Sequence, residues 1–281
     1  MIVDDTNLIS NNSRPSFLNY LKSVWKIRHF VWYDARGRSF KAGRGTFLGR
    51  WWILLNPLAQ LLVYLLVFGL ILKSSRGIDN FVGFLVIGVT FFGFFSQCIN
   101  QAAGLIQKSR GIIVSFDFPK VSLVFSQVVR QALDNMIPAV VAVVIALIAQ
   151  GGEGLSFRVL LLIPVYFLYH VFLLACALFV SRATAFVPDL KQVVGVATRA
   201  LFFLSGIFYS LDRFDSYPLI SGVMRMNPIY QFLEVFRSAA MGHDQFLGQR
   251  LLFVFIVSVA LLVLGLLYFW QAEERYAGVR Q

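Results

Sequence analysis

Residues 251–270 read LLFVFIVSVALLVLGLLYFW, a run without one charged side chain. At 1.5 Å of helical rise per residue, a run of about twenty residues covers about 30 Å, the thickness of a bilayer's hydrocarbon core. A helix apolar on every side is either buried in a large core or spans a membrane, and the apolar residues of this chain are too many for one soluble core. Working back towards the N-terminus, five further apolar runs stand at 51–72, 81–106, 121–149, 155–180 and 190–211. The first of them opens on Trp51 and Trp52, the residue type that collects at membrane interfaces. The composition agrees. Of 281 residues 58% are hydrophobic and 14% charged, with a mean hydropathy of +0.72. Soluble domains carry about 25% charged residues. The chain therefore reads as an all-α membrane protein with six transmembrane helices.

Two stretches do not fit as spans. Between the fifth and sixth runs, residues 212–250 hold the apolar patches YPLISGVM and IYQFLEVF, broken by Pro218, Pro228 and several charges. Each patch is too short to cross. Two short re-entrant helices, dipping into the membrane or lying on it, fit better, and such backbone must be covered by protein or line a water-filled cavity. The segment is thus expected over the mouth of something. Before the first run, residues 17–36 are amphipathic at helical spacing. Phe17, Tyr20, Leu21, Val24, Trp25, Ile27, Val31 and Trp32 share one half of the wheel, and Asn19, Lys22, Ser23, Lys26, His29 and Asp34 the other, with Arg28 and Phe30 as exceptions. A basic amphipathic helix bearing Trp and Phe suits the membrane surface. The alternative is a helix packed on a soluble domain, and the span that follows directly favours the membrane. Residues 1–50 are accordingly read as a cytoplasmic N-terminal region and 51–281 as the transmembrane domain.

The formal charge is +11. Nucleic acid is the usual partner for such a chain, but here the placement of the charge accounts for it. With six spans and an inner N-terminus, the inner segments hold sixteen Lys and Arg: nine before Trp51, then Lys108, Arg110, Lys120, Arg182, Lys191, Arg275 and Arg280. The outer segments hold seven: Lys73, Arg76, Arg158, Arg213, Arg225, Arg237 and Arg250. This bias puts both termini in the cytoplasm, where anionic headgroups attract basic residues. The opening MIVDDTNLISNNS has neither the basic start nor the apolar stretch of a secretory signal, in keeping with a cytoplasmic N-terminus.

Catalytic chemistry is poorly provided for. Cys98 and Cys176 lie inside apolar runs and read as small buried hydrophobes. His29, His170 and His243 have no ligand spacing, so no metal is expected. GxxxxGK[ST] does not occur; GRGTFLGR lacks the lysine and the strand–helix setting of a phosphate loop. Neither GxSxG nor a paired-carboxylate motif is present. Within the spans, Arg130 and Asp134 are four apart and can pair, either as a gating pair or as a self-neutralised one near the interface. Arg199 has no obvious local partner, which makes it the better candidate for an anionic substrate. Pro138 would interrupt the hydrogen-bond ladder of the third span. Phe202, Phe203, Phe208 and Tyr209 surround Gly206, a composition that suits packing on sugar rings or lipid tails as well as ordinary core packing.

Three stretches, in order along nearly the whole chain, carry a resemblance. FKAGRGTFLGRWWILLNPL holds a basic patch, Leu48-Gly49, Trp51-Trp52 and Asn56-Pro57. GLIQKSRGIIVSFDFPK ends on Phe118-Pro119. MRMNPIYQFLEVFR holds Asn227, Pro228 and Arg237. Together they resemble the permeases of ABC-2 type exporters, and within them the polysaccharide exporters, which share this length and N-terminal helix and have no fused ATPase. One departure is Ser39-Phe40-Lys41, where the family often shows Arg-Tyr-Lys. The resemblance implies the type V exporter fold and a homodimer of permeases with two copies of a separate ABC ATPase. ATP and Mg would be held by that partner, with no cofactor or catalytic residue in this chain. It implies a coupling loop at Lys108, Ser109, Arg110, Gly111, Phe116, Asp117 and Phe118, and an outer re-entrant segment at Asn227, Pro228 and Arg237. A pore between two copies would be lined by the first, second and fifth spans, with Arg199, Phe202, Phe203 and Tyr209. The substrate it implies is a polyprenyl-diphosphate-linked glycan such as O-antigen, a galactan or a teichoic acid. The basic belt of Arg36, Arg38, Lys41, Arg44 and Arg50 suits the diphosphate headgroup. The location implied is the bacterial inner membrane. Three other readings stand beside this one: an exporter of the same architecture for a drug or lipid, a membrane-embedded enzyme on polyprenyl-linked sugars, and a secondary transporter. Isolated Asp117 and Asp189 weigh against the enzyme, and the absence of internal repeats against the secondary transporter.

Overall fold

The computed structural model describes residues 16–39, 55, 59, 62–71, 78–151, 157–211, 217–242 and 246–279. Among these residues the fold is all helix, with no strand. Nearly half of the first expected span, 51–72, lies outside them, as do Lys41, Arg44 and Arg50 and the motif residues Leu48, Gly49, Trp51, Trp52, Asn56 and Pro57.

Four helices among the described residues are long and apolar enough to cross a membrane. They are α3 (Phe81–Ala102), α6 (Val121–Ala149), the Phe157–Phe186 segment whose α-helical part is α7 (Leu162–Phe186), and α11 (Leu247–Trp270). The sequence places α6 to the residue. It places the others less well, and each difference has a local cause. The second run ends at Ala102 rather than Ile106, because Gly104 turns left-handed at φ +79° and stops the helix. The fourth runs on to Phe186, since Arg182 stays on the helix, its guanidinium 3.8 Å over the Tyr268 ring and bonded to Gln271. The fifth is the shorter α8 (Leu190–Leu204), which gives way to a turn at Ser205 and Gly206, the latter at φ +61°. The amphipathic stretch is two helices, α1 (Phe17–Lys26) and α2 (Arg28–Ser39), parted at Ile27.

α3 is the axis of the bundle: 78% of its most apolar stretch is buried, against 17% for α11. Its Asn80 cap accepts from the Gly83 amide (2.8 Å) and donates to the Ala146 carbonyl (2.9 Å), tying the start of α3 to the end of α6. α7 packs along α11, and α2 along α6. Gly265 lets α11 approach α7 closely, since a Cβ there would meet the Ala175 carbonyl oxygen at 3.2 Å.

Candidate functional site

Two short helices follow α8: α9 (Pro218–Met226) and α10 (Pro228–Met241). Each starts on a proline, whose missing N–H costs nothing in a first turn. Asn227 caps α10. Its side-chain oxygen accepts from the Ile229 amide (3.0 Å), and its amide donates to Ser205 (3.2 Å) at the turn after α8. α10 does not lie on the surface. Nearly every residue from Ile229 to Ala240 is buried, packed against α3, α6, α7 and α11. Phe236 stacks on Phe91 with centroids 3.7 Å apart, and Phe232 meets Tyr169 and Phe172. Phe91 stands ten residues into α3, about 15 Å along the helix axis from its start. The far end of α10 meets the residues that join α6 to α7: Gln150 donates to the Met241 carbonyl and Arg158 to that of Gly242.

Arg237 holds this arrangement. Its side chain is 3% exposed. Nη1 donates to Glu234 (2.7 Å) and to the Gly206 carbonyl (3.1 Å), Nε to the Phe84 carbonyl (3.2 Å), and Nη2 to that of Ile207 (3.5 Å). The guanidinium carbon lies 3.3 Å over the Phe84 ring. A buried charge is tolerable only when paired and hydrogen-bonded, and this one is both. It joins α10 to the start of α3 and to the turn after α8. Beside it opens a cavity of about 810 Å³, lined among others by Asp79, Asn80, Arg225, Tyr230, Gln231 and Arg250.

The four residues assigned to a pore fall into two groups. Phe202 and Phe203 meet Phe208, with Tyr209 beside them donating to the Phe203 carbonyl (2.5 Å). Tyr64, Phe68 and Phe92 complete the cluster: Tyr64 and Phe92 approach Phe202 at 5.6 and 5.2 Å, and Phe68 stacks on Phe208 at 3.8 Å. Sequence reasoning missed these three; the four-residue spacing of Tyr64 and Phe68 was the available signal. Arg199 stands apart. It is exposed on α8 with Val193, Val196 and Phe203, and it does have a local partner, the Gly195 carbonyl four residues back. Arg130 and Asp134 do pair, at 3.4 Å.

At the opposite end of the bundle, the segment after α3 folds into α4 (Leu105–Lys108) and α5 (Arg110–Ser115). It is anchored to the end of α7: the Gly104 amide donates to the Thr184 hydroxyl (3.1 Å), and Gln107 to the Thr184 carbonyl. Ile113 is buried, while Ile112, Val114 and Phe116 are exposed, the last at 66%. Lys108, Gly111 and Asp117 are exposed too; Ser109, Arg110 and Phe118 are half-buried. In the basic belt, Arg36 is exposed on α2, and Arg38 lies on the same helix.

Below α5 lies a 3₁₀ turn, Glu273–Gly278. Glu273 is 5% exposed. One carboxylate oxygen accepts from the Lys120 amide (2.7 Å) and the other from the Tyr20 hydroxyl (2.8 Å). The Lys120 ammonium lies 3.9 Å away. Burial pushes the carboxyl above its ordinary range, against the pull of these three partners. The Tyr20 hydroxyl is pushed up by burial and by the Glu273 charge.

The profile of the ABC-2 type transporter family matches residues 35–241. The chain is 25% identical over 234 residues to the O-antigen export system permease protein RfbA of Myxococcus xanthus, covering 83% of this chain and 88% of that one. It is 26% identical over 244 residues to the polysialic acid transport protein KpsM of Escherichia coli, covering 84% and 91%. RfbA of Klebsiella pneumoniae is 22% identical over 237 residues, covering 84% and 89%.

Proposed function

The chain belongs to the ABC-2 type transporter family, and on that premise we propose that it is the membrane permease of an ATP-driven exporter of a lipid-linked polysaccharide. The observation that carries the reading is the near full-length likeness to permeases of O-antigen and polysialic acid export. ATP is hydrolysed on a separate ABC ATPase, two copies of which join two copies of this chain. ATP and Mg belong to that partner.

The chain crosses the bacterial inner membrane six times with both termini in the cytoplasm. Its first 50 residues are cytoplasmic and 51–281 form the membrane domain. The exposed ridge of Ile112, Val114 and Phe116, with Lys108 and Arg110 beside it, is the docking surface for the ATPase. α9 and α10 re-enter the membrane from outside. The burial of α10 against Phe91 and Tyr169 supports that reading, because short helices at such depth need protein cover. The exposed face of α8, with Arg199 and Phe203, lines the pore between copies, and the cluster of Phe202, Phe208 and Tyr209 backs it. α1 and α2 lie at the inner interface, which the exposed Trp25 and Trp32 support. Arg36, Arg38, Lys41, Arg44 and Arg50 receive the diphosphate headgroup. The basic charge makes an anionic carrier a better fit than a neutral one.

Deletion of the gene tests the substrate. Surface polysaccharide should disappear and the lipid-linked glycan accumulate inside, both reversed by a plasmid copy. Unchanged surface glycan with altered drug tolerance would replace this reading with a drug exporter.

A further inference from the structure

Glu273 joins three segments that the sequence keeps far apart: α1 through Tyr20, the start of α6 through the Lys120 amide, and the C-terminal turn on which it stands. The turn in turn carries α5, which packs on it. Aromatic contacts fix its other side. Tyr276 stacks on Phe186 at 5.8 Å, lies 4.6 Å from Phe269, and donates to the Phe269 carbonyl (3.0 Å). Phe17 meets Trp270 edge to face at 5.4 Å, bringing α1 onto the end of α11. The carboxylate also lies where a negative charge is most favourable, at the exposed amides of a helix start. An arrangement that serves only to cap α6 would not need Tyr20, and one that serves only to hold α1 would not need the Lys120 amide.

We propose that Glu273 is a positioning residue that locks the coupling segment, the start of the third span and the N-terminal interfacial helix into one body, so that a push on α5 moves α1 with it. The transport aspect rests on the function proposed above; the mechanical aspect does not. In an ATP-driven exporter, the ATPase would press on α5 while the substrate headgroup is met by the basic belt that begins on α2, the helix that follows α1 and packs along α6. A rigid link between them makes the arrival of substrate and the stroke of the ATPase one event. Without it, α5 yields locally and the stroke is spent without moving the span.

The test uses the full chain with its ATPase in proteoliposomes, comparing Tyr20→Phe, Glu273→Ala and Glu273→Gln. Tyr20→Phe removes one hydroxyl and keeps the ring that packs in the core. Glycan exported per ATP hydrolysed should fall by roughly threefold or more in Tyr20→Phe and Glu273→Ala, because a hydrogen bond to a charged group is worth more than RT. The ATPase rate itself should change little. Glu273→Gln, which still accepts one bond, should recover part of the ratio. A role in folding alone would lower protein yield and export together and leave the ratio unchanged, which would overturn the proposal. A second measurement stands whether or not glycan is the substrate: spin labels at Lys22→Cys on α1 and Ser115→Cys on α5. Their distance distribution should stay narrow with and without ATP, and broaden when Glu273→Ala is added. Equal widths in both backgrounds would refute the link, whereas a narrow pair in a complex that exports no glycan would count against the proposed function only.

Discussion

Arg237 was legible in the sequence only as the last member of a motif. Its burial was not, because the groups that neutralise it (Glu234 and the Phe84, Gly206 and Ile207 carbonyls) come mostly from segments distant in sequence. It was counted among the outer basic residues, but its charge is spent inside the protein. Removing it should be severe. Arg237→Ala leaves Glu234 and three carbonyls short of a partner and should cost about 3–5 kcal/mol, read as a fall in thermal midpoint of the detergent-purified protein. Gly206 makes a second case. It sits at φ +61°, and an added Cβ would lie 3.0 Å from the Tyr230 ring. Gly206→Ala should therefore cost about 1–2 kcal/mol from its backbone alone, in the same melting assay, and more if Tyr230 cannot shift. Arg199 taught the opposite lesson: its lack of a local partner on paper was answered by its own helix, through the Gly195 carbonyl.

At the scale of elements, hydrophobic runs located the helices and local chemistry set their ends. α6 was read correctly from residue 121 to 149 because nothing within it permits a stop; even Pro138 is accommodated inside the helix. α3 and α8 were read too long because a single glycine in left-handed backbone outweighs an apolar run that continues past it. The stretch 17–36 is helical, but the wheel hid the break at Ile27 and the inward turn of Tyr20, whose partner is 253 residues away. Two elements carry predictions. Asn227→Ala removes the cap of α10 and its tie to Ser205, and should cost about 0.5–2 kcal/mol of thermal stability. Asn227→Asp keeps the acceptor and loses the donor, so it should fall between. Just past the end of α5 the outcome is reversed. Phe116 is exposed, so Phe116→Ala should change stability by no more than about 0.5 kcal/mol, yet weaken capture of the partner ATPase several-fold in co-purification.

For the molecule as a whole, composition and run length gave the membrane class, and the order of three weak motifs gave the family. What one chain cannot display in its own sequence is which apolar faces meet lipid and which meet a second copy, because both are hydrophobic. Both α8 and α11 expose valine, leucine and phenylalanine, but α8 adds the exposed charges Lys191 and Arg199 and lies beside the aromatic cluster of Tyr64, Phe92 and Phe202 and the turn held by Arg237, while α11 is the least buried of the long helices. The central claim is that two copies of this chain, with their ATPase, move a lipid-linked polysaccharide outward at the expense of ATP. The most direct measurement is reconstitution of the purified complex in liposomes loaded with the lipid-linked glycan of the source cell, scoring glycan that becomes accessible on the far side. ATP should drive transfer only when both proteins are present, and a Walker-motif variant of the ATPase should abolish it; transfer by this chain without ATPase, or none with both present and ATP being hydrolysed, would contradict the account.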